Sequence, residues 1–303
     1  MKLELSLPST SSLATTGVSN LVQLTRPRLA VLVLVTVAVG WLLASGAERH
    51  WDSFVPVLIG TSLLFGGASA LNQFIERHSD ASMARTANRP LPAGRIQPWK
   101  ALAIGCALVA GGIVVLLAAR QRLAAGLGVF ALLSYVFVYT PLKTRTTLNT
   151  LIGAVPGAVP PLMGWAAARG RLDTDSLALF LIVFLWQVPH FLAIAWIYRD
   201  EYERAGLRML PVFDSDGTQT GREMIRCTLA LVPASLLPCL LGLGGWRSGL
   251  GALALGAVFL YSVVTFARNP TRSNARHVFR TSLLFLPALL MLLVLDATFL
   301  SRR

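Results

Sequence analysis

Long apolar runs recur nine times along the 303 residues, separated by polar connections. They cover residues 29–47, 54–74, 100–119, 123–140, 148–168, 176–198, 224–243, 248–267 and 281–300. Each run is long enough to cross a hydrocarbon layer of about 30 Å as a helix. The pattern predicts an all-α fold: a polytopic integral membrane protein with about nine transmembrane helices. Pro156, Pro160 and Pro161 fall in the fifth run among Gly153, Gly157 and Gly164. Prolines and small residues at that density predict a kinked span that opens a cavity.

Composition agrees with the pattern. The chain is 54% hydrophobic, with a mean hydropathy of +0.63. Its net charge of +13 would suit nucleic acid in a soluble protein, but in a membrane protein basic loops mark the cytoplasmic side. The N-terminal tail and the connections after the second, fourth, sixth and eighth runs hold nineteen Lys and Arg, against eight on the other side. That asymmetry places the N-terminus in the cytoplasm and the C-terminus outside, and nucleic acid is not expected as a partner. Residues 1–22 are Ser/Thr-rich with Lys2 as the one basic group. They resemble neither a signal peptide nor an Arg-rich transit peptide, so a disordered cytoplasmic tail is expected before a single membrane domain over 23–303. A prokaryotic plasma membrane fits best. Cys106, Cys227 and Cys239 sit in apolar runs without metal-ligand spacing and read as small hydrophobes.

Carboxylates change the picture further. Glu76, Asp80, Asp200, Glu201, Glu203, Asp214, Asp216 and Glu223 all fall on the predicted cytoplasmic side, in or beside two connections. Loops that only fixed topology would not need them. Asn72, Glu76 and Asp80 recur every four residues where the second run ends, and a four-residue helical step rotates only about 40°. An amide oxygen and two carboxylates on one helix face suit a hard divalent cation, and Arg77, Arg85, Arg89 and Arg95 close behind suit phosphate oxygens. Asp200 and Glu201 leave the sixth run, where they could supply a second cation ligand or serve as a helix cap or a solvated pair. Tyr139 and Lys143 end the fourth run; they could hold a phosphate, or be an interfacial tyrosine with a snorkelling lysine. Inside the sixth run lies Trp186-Gln187-Val188-Pro189-His190-Phe191. Polar groups there face a bundle interior. His190 could ligate haem iron, act as an acid or base, or make a structural hydrogen bond.

Together these segments resemble the UbiA superfamily of intramembrane prenyltransferases, over about residues 24–300. The run from Asn72 to Asp80 is similar to that superfamily's Asn-x-x-x-Asp-x-x-x-Asp motif, with Glu76 in the first Asp place. Tyr139 and Lys143 match its Tyr-x-x-x-Lys element. Leu24-Thr25-Arg26-Pro27-Arg28, the continuation from Met83 to Pro92, Pro189-His190-Phe191 and the segment ending Met209-Leu210-Pro211 resemble the branch that acts on haem. Two departures stand out. Glu76 reaches one methylene further than Asp, and the residue four after Asp200 is Arg204, so the second motif is not a paired Asp-x-x-x-Asp.

The resemblance implies a UbiA-type bundle with a central cavity. It implies transfer of a farnesyl group from farnesyl diphosphate to the 2-vinyl group of protoheme IX, with addition of water and release of diphosphate, to give haem O. Mg²⁺ would be held by Asn72, Glu76, Asp80 and an acid of the Asp200/Glu201 pair. Arg77, Arg85, Arg89, Lys143 and Tyr139 would bind the diphosphate, and His190 would face haem. Haem is then substrate, not cofactor. The expected surroundings are the lipid bilayer of the inner membrane, and haem A synthase or the terminal-oxidase assembly machinery are candidate partners. Trp165, Trp186, Phe191 and Tyr135 are candidates to face a carbocation. Two other readings compete: a related transferase with another acceptor, such as 4-hydroxybenzoate, and a non-catalytic transporter or assembly factor. A transporter would place its ionisable groups nearer mid-membrane.

Overall fold

The computed structural model describes residues 10–46 and 51–300. Among these the regular structure is all helical, and nine helices are long and apolar enough to cross a membrane. In chain order the spans are Pro27–Ser45, Trp51–Ala81, Pro98–Ala118, Arg122–Leu142, Asn149–Arg169, Thr174–Ile197, Thr218–Leu240, Trp246–Arg268 and Arg272–Thr298. All nine predicted runs correspond to a span. The second, seventh and ninth extend furthest beyond their apolar runs: the second to Ala81, the seventh back to Thr218 and the ninth back to Arg272. Polar side chains there continue the helix past the apolar stretch, so hydrophobicity alone undercounts its length.

Spans 2 and 3 pack together, as do spans 1 and 5; spans 6, 7, 8 and 9 form the other half. The two halves meet where span 1 touches spans 6 and 9 and span 5 touches span 6. One apolar core, including Trp165, Leu179, Ile182, Leu231, Phe259 and Phe285, runs through the second half and reaches spans 1 and 5. A smaller core joins spans 1 to 5 around Val37, Leu64, Leu116 and Met163. Spans 1 and 5 approach so closely that a Cβ on Gly164 would lie 1.9 Å from the Val37 carbonyl oxygen. Without a hydrophobic force between helices in lipid, small residues that admit such contact supply the packing.

The kink foreseen in span 5 falls at Ala158, between helical segments Asn149–Gly157 and Val159–Arg169. Pro160 and Pro161 bring no N–H to the first turn of the second segment, leaving carbonyls of the turn before them short of partners. Gln187 of span 6 ties the kinked helix to its own: its Nε2 donates to the Ala154 carbonyl at 3.3 Å, which also accepts from the Ala158 N–H, and to the Val183 carbonyl at 3.0 Å. Span 4 carries an irregularity the sequence does not announce, a π-helical turn over Ser134–Tyr139. Such turns re-aim the side chains that follow and recur at functional sites.

The expectation for residues 1–22 needs correction in its described part, because a helix covers Thr10–Thr25; residues 1–9 lie outside the described residues. Leu24 anchors this helix in a small cluster with Ala70, Leu91 and Ala101. Arg95 donates to Asn20 and Gln23, and Gln73 donates to the Leu24 carbonyl. Those tertiary contacts stabilise a helix that its Ser/Thr content alone disfavours.

Candidate active site at the helix ends

Asn72, Glu76 and Asp80 lie on one continuous helix, since span 2 runs unbroken to Ala81. Asn72 and Asp80 are each only 1% exposed. The Asn72 amide donates to Thr140 Oγ1 at 3.2 Å, and the Thr140 hydroxyl in turn donates to the Tyr135 carbonyl five residues earlier. The π turn of span 4 thus fixes Asn72 and leaves its side-chain oxygen to face another partner.

Each carboxylate has a cation against it. Arg89 Nη1 is 2.5 Å from Asp80 Oδ2, and Lys143 Nζ is 2.6 Å from Glu76 Oε1. The loop that carries Arg89 is shaped by the Thr86 hydroxyl, which donates to the Asp80 carbonyl at 2.8 Å. Lys143 also lies 4.6 Å from the centre of the Tyr139 ring. Burial opposes the charge on Lys143, but Tyr139 and Glu76 outweigh it and hold the ammonium above the usual lysine range. Glu76 is the carboxylate paired with that ammonium.

The connection after span 6 closes the other side. Arg85 donates from its backbone to Glu201 Oε2 at 3.3 Å and from Nη2 to the Tyr202 hydroxyl at 3.1 Å. Met83 packs with Ala195, Leu207 and Met209. The Arg208 backbone donates to the Lys143 carbonyl, whose side chain belongs to the first cluster. The two mixed-charge connections therefore meet. Of the acidic pair, Glu201 faces the loop of the first motif, whereas Asp200 is paired with Arg272 and Arg199.

No three His, Cys, Asp or Glu side chains form a metal-binding cluster among the described residues. The set still fits Mg²⁺, which is commonly held by one or two carboxylates together with substrate phosphates and water. Glu76, Asp80 and the Asn72 amide offer hard oxygens, and Arg89, Arg85 and Lys143 offer partners for phosphate.

Deeper in span 6, His190 is 8% exposed. It stacks on Trp186 at 4.9 Å and contacts Phe279 at 5.1 Å. Its Nδ1 is 2.7 Å from Ser282 Oγ. The Ser282 hydroxyl gives its proton to the Phe279 carbonyl at 2.7 Å. With the serine proton on that carbonyl, the serine oxygen is an acceptor for His190 Nδ1–H, the tautomer that leaves the lone pair on Nε2.

The sequence model of the UbiA prenyltransferase family matches residues 33–289. The chain belongs to the UbiA prenyltransferase family. A protoheme IX farnesyltransferase of Solibacter usitatus is 45% identical over 91% of this chain and 97% of its own length. One from Myxococcus xanthus is 44% identical over 93% and 95%. Among solved structures, that of a digeranylgeranylglyceryl phosphate synthase superposes with a TM-score of 0.78 at 17% identity, covering 92% of this chain and 98% of that one. A UbiA homologue from Archaeoglobus fulgidus bound to DMAPP and Mg²⁺ superposes with a TM-score of 0.62 at 15% identity, over 90% and 99%.

Within this UbiA-family bundle, some expected site residues fall elsewhere. Arg77 donates to its own helix at the Phe74 carbonyl, 2.7 Å away, and lies over the Phe74 ring. One residue beyond Glu76 is a turn of about 100° around the helix, which takes Arg77 off the shared face. Asp214 and Asp216 accept from backbone N–H groups at the start of span 7, so their role is capping. Trp165 lies beneath Arg169 near the opposite end of span 5. Conversely, charge pattern alone assigned Arg26 no more than a topological role. It precedes span 1 in a left-handed conformation, φ 51°, and its Nη2 is buried with no partner among the described residues. Burial, then the charge of Arg89, pull its guanidinium below the usual arginine range. A left-handed non-glycine residue with a buried, unpartnered nitrogen, within electrostatic reach of Asp80 and Arg89, is the kind of backbone outlier that gathers at functional sites. Only the Leu24–Arg28 resemblance hinted at it.

Proposed function

We propose that the chain transfers a farnesyl group from farnesyl diphosphate to the 2-vinyl group of protoheme IX. The observation that carries this is the meeting of two charged connections at the ends of membrane helices. There, hard oxygens and arginines lie beside a span bearing the Pro-His-Phe segment. Relatives over 40% identical across nearly the whole chain carry that name.

The reaction breaks the allylic C–O bond of farnesyl diphosphate. The vinyl π electrons form the new C–C bond, water adds at the ring-side vinyl carbon and loses a proton, and diphosphate leaves. Negative charge grows on the leaving oxygens, and fixed cations aimed there stabilise the transition state more than the ground state. Arg89, Arg85 and Lys143 are positioned for this, joined by Arg26. Asn72, Glu76, Asp80 and Glu201 would hold Mg²⁺, which when bound neutralises diphosphate charge as a Lewis acid. Tyr135 and Tyr139, with rings 5.6 Å apart, would offer π faces to the allylic cation that bond breaking leaves. His190, with its lone pair on Nε2, is suited to meet haem iron.

The charged connections face the cytoplasm of a plasma membrane, with the C-terminus on the opposite side; both substrates come from the bilayer. Haem O leaving this enzyme passes to haem A synthase or oxidase assembly. The test is turnover by purified protein supplied with protoheme and farnesyl diphosphate. Haem O must form, cease with EDTA and return with Mg²⁺. Product that persists in EDTA refutes the metal clamp, and prenylation of 4-hydroxybenzoate but not haem refutes the acceptor.

A further inference from the structure

A cavity of about 650 Å³ opens between the end of span 6 and the start of span 9. That volume lies within the roughly 300–1,000 Å³ of small-molecule sites. Arg85, Arg204, Arg272, Arg276 and Arg280 line it, with Asp200 and Glu201 as the only acids among its lining residues. Five guanidinium groups against two carboxylates leave a surplus of three positive charges. Arg272 is paired with Asp200, and Arg85 with Tyr202. Arg204, Arg276 and Arg280 make no ion pair or hydrogen bond among the described residues.

The rest of the lining is apolar or aromatic: Ile194, Ile197, Tyr198 and Phe279. Phe279 contacts the buried His190 ring, so one wall of the cavity borders that histidine. Arg272, Arg276 and Arg280 step four residues at a time, about 6 Å per step, and share one face of span 9. Positive loops that only set topology need neither a common face nor a cavity to line. A flat apolar ring with two carboxylates on one edge has the matching chemistry: ring against Phe279 and Tyr198, carboxylates against the arginines.

We infer that this cavity seats protoheme, with Arg276 and Arg280 gripping its two propionates and Arg204 facing them. The inference rests on the acceptor proposed above and assigns its binding site. The vinyl groups lie on the ring away from the propionates, so holding the propionates orients the reacting edge. Arg204, Arg276 and Arg280 recognise carboxylate here, whereas Arg85, bonded to Tyr202 at the edge of the cavity, serves the departing diphosphate.

The test is a titration of purified protein in neutral detergent, followed at the Soret band, with protoheme and with its dimethyl ester. The wild type should bind the free acid more tightly by on the order of ten-fold, the scale of one charge-assisted hydrogen bond. Arg276→Ala/Arg280→Ala should lose that preference by weakening the acid alone, and its KM for farnesyl diphosphate should not move. Equal binding of acid and ester by the wild type overturns the inference without any variant, which removes misfolding as an escape. A rise in the KM for farnesyl diphosphate with haem binding intact also overturns it, assigning the arginines to diphosphate. Because the titration needs no turnover, a wild type that binds protoheme acid-selectively but makes no haem O would refute the reaction and keep the site.

Discussion

Glu76 has two separable duties: it neutralises Lys143 and, by the proposal, it ligates the metal. Glu76→Gln removes the charge while keeping the shape. The Lys143 side chain is 14% exposed and its ammonium lies 2.6 Å from the carboxylate, so the substitution strands a mostly buried cation. Breaking such a pair costs about 3–5 kcal/mol. At roughly 2 °C per kcal/mol for a large domain, the melting temperature should fall by about 6–10 °C. Removing one electrostatic stabiliser of a transition state also lowers turnover by about 10²–10³. Glu76→Gln/Lys143→Met removes both charges, and replacing a whole buried pair by neutral groups is often close to neutral for stability. The double variant should therefore regain most of the thermal stability in detergent, and its haem O production should remain at the level of Glu76→Gln or below. If turnover returns with stability, Glu76 does no more than pair with Lys143, and the metal assignment fails.

Arg89→Ala strands the Asp80 carboxylate, 1% exposed, and should lower both stability and turnover, whereas Arg77→Ala should leave turnover unchanged; equal losses in the two would refute the placement of Arg77 outside the site. Ser282→Ala removes the acceptor that orients His190 and should weaken haem binding by about 10–100-fold, the usual cost of losing such support for a metal-ligating histidine; an unchanged Soret titration would count against His190 as an iron ligand. Gly164→Ala drives a methyl to within 1.9 Å of the Val37 oxygen and should destabilise spans 1 and 5 by about 1–3 kcal/mol, read as a lower melting temperature; an unchanged value would refute the tight packing.

The nine spans and the cluster at the helix ends were legible because apolar length and the four-residue spacing of Asn72, Glu76 and Asp80 are local properties. The kink in span 5 was legible for the same reason, from prolines set among glycines. What the sequence could not show depends on which distant groups meet. Arg77 and Arg89 are equally basic, yet only the loop geometry set by Thr86 sends Arg89 to Asp80. Asp200 and Glu201 are adjacent, and Arg272 and Arg85 decide which of them faces the first motif. The π turn of span 4 leaves no compositional mark, so the bond from Asn72 to Thr140 was not foreseen. Arg26 looked like one more loop cation because its burial and left-handed backbone exist only in the folded chain. The helix over Thr10–Thr25 was missed because contacts from Gln73 and Arg95 hold it, not its own propensity.

The most direct test of the central claim is haem analysis in a host that lacks its own haem O synthase, comparing the wild type with Asp80→Ala at matched membrane levels. Extracts resolved by liquid chromatography with mass detection should contain haem O from the wild type and protoheme alone from the variant. Protoheme alone from both would contradict the assigned reaction, and haem O from both would contradict the role given to the buried carboxylate.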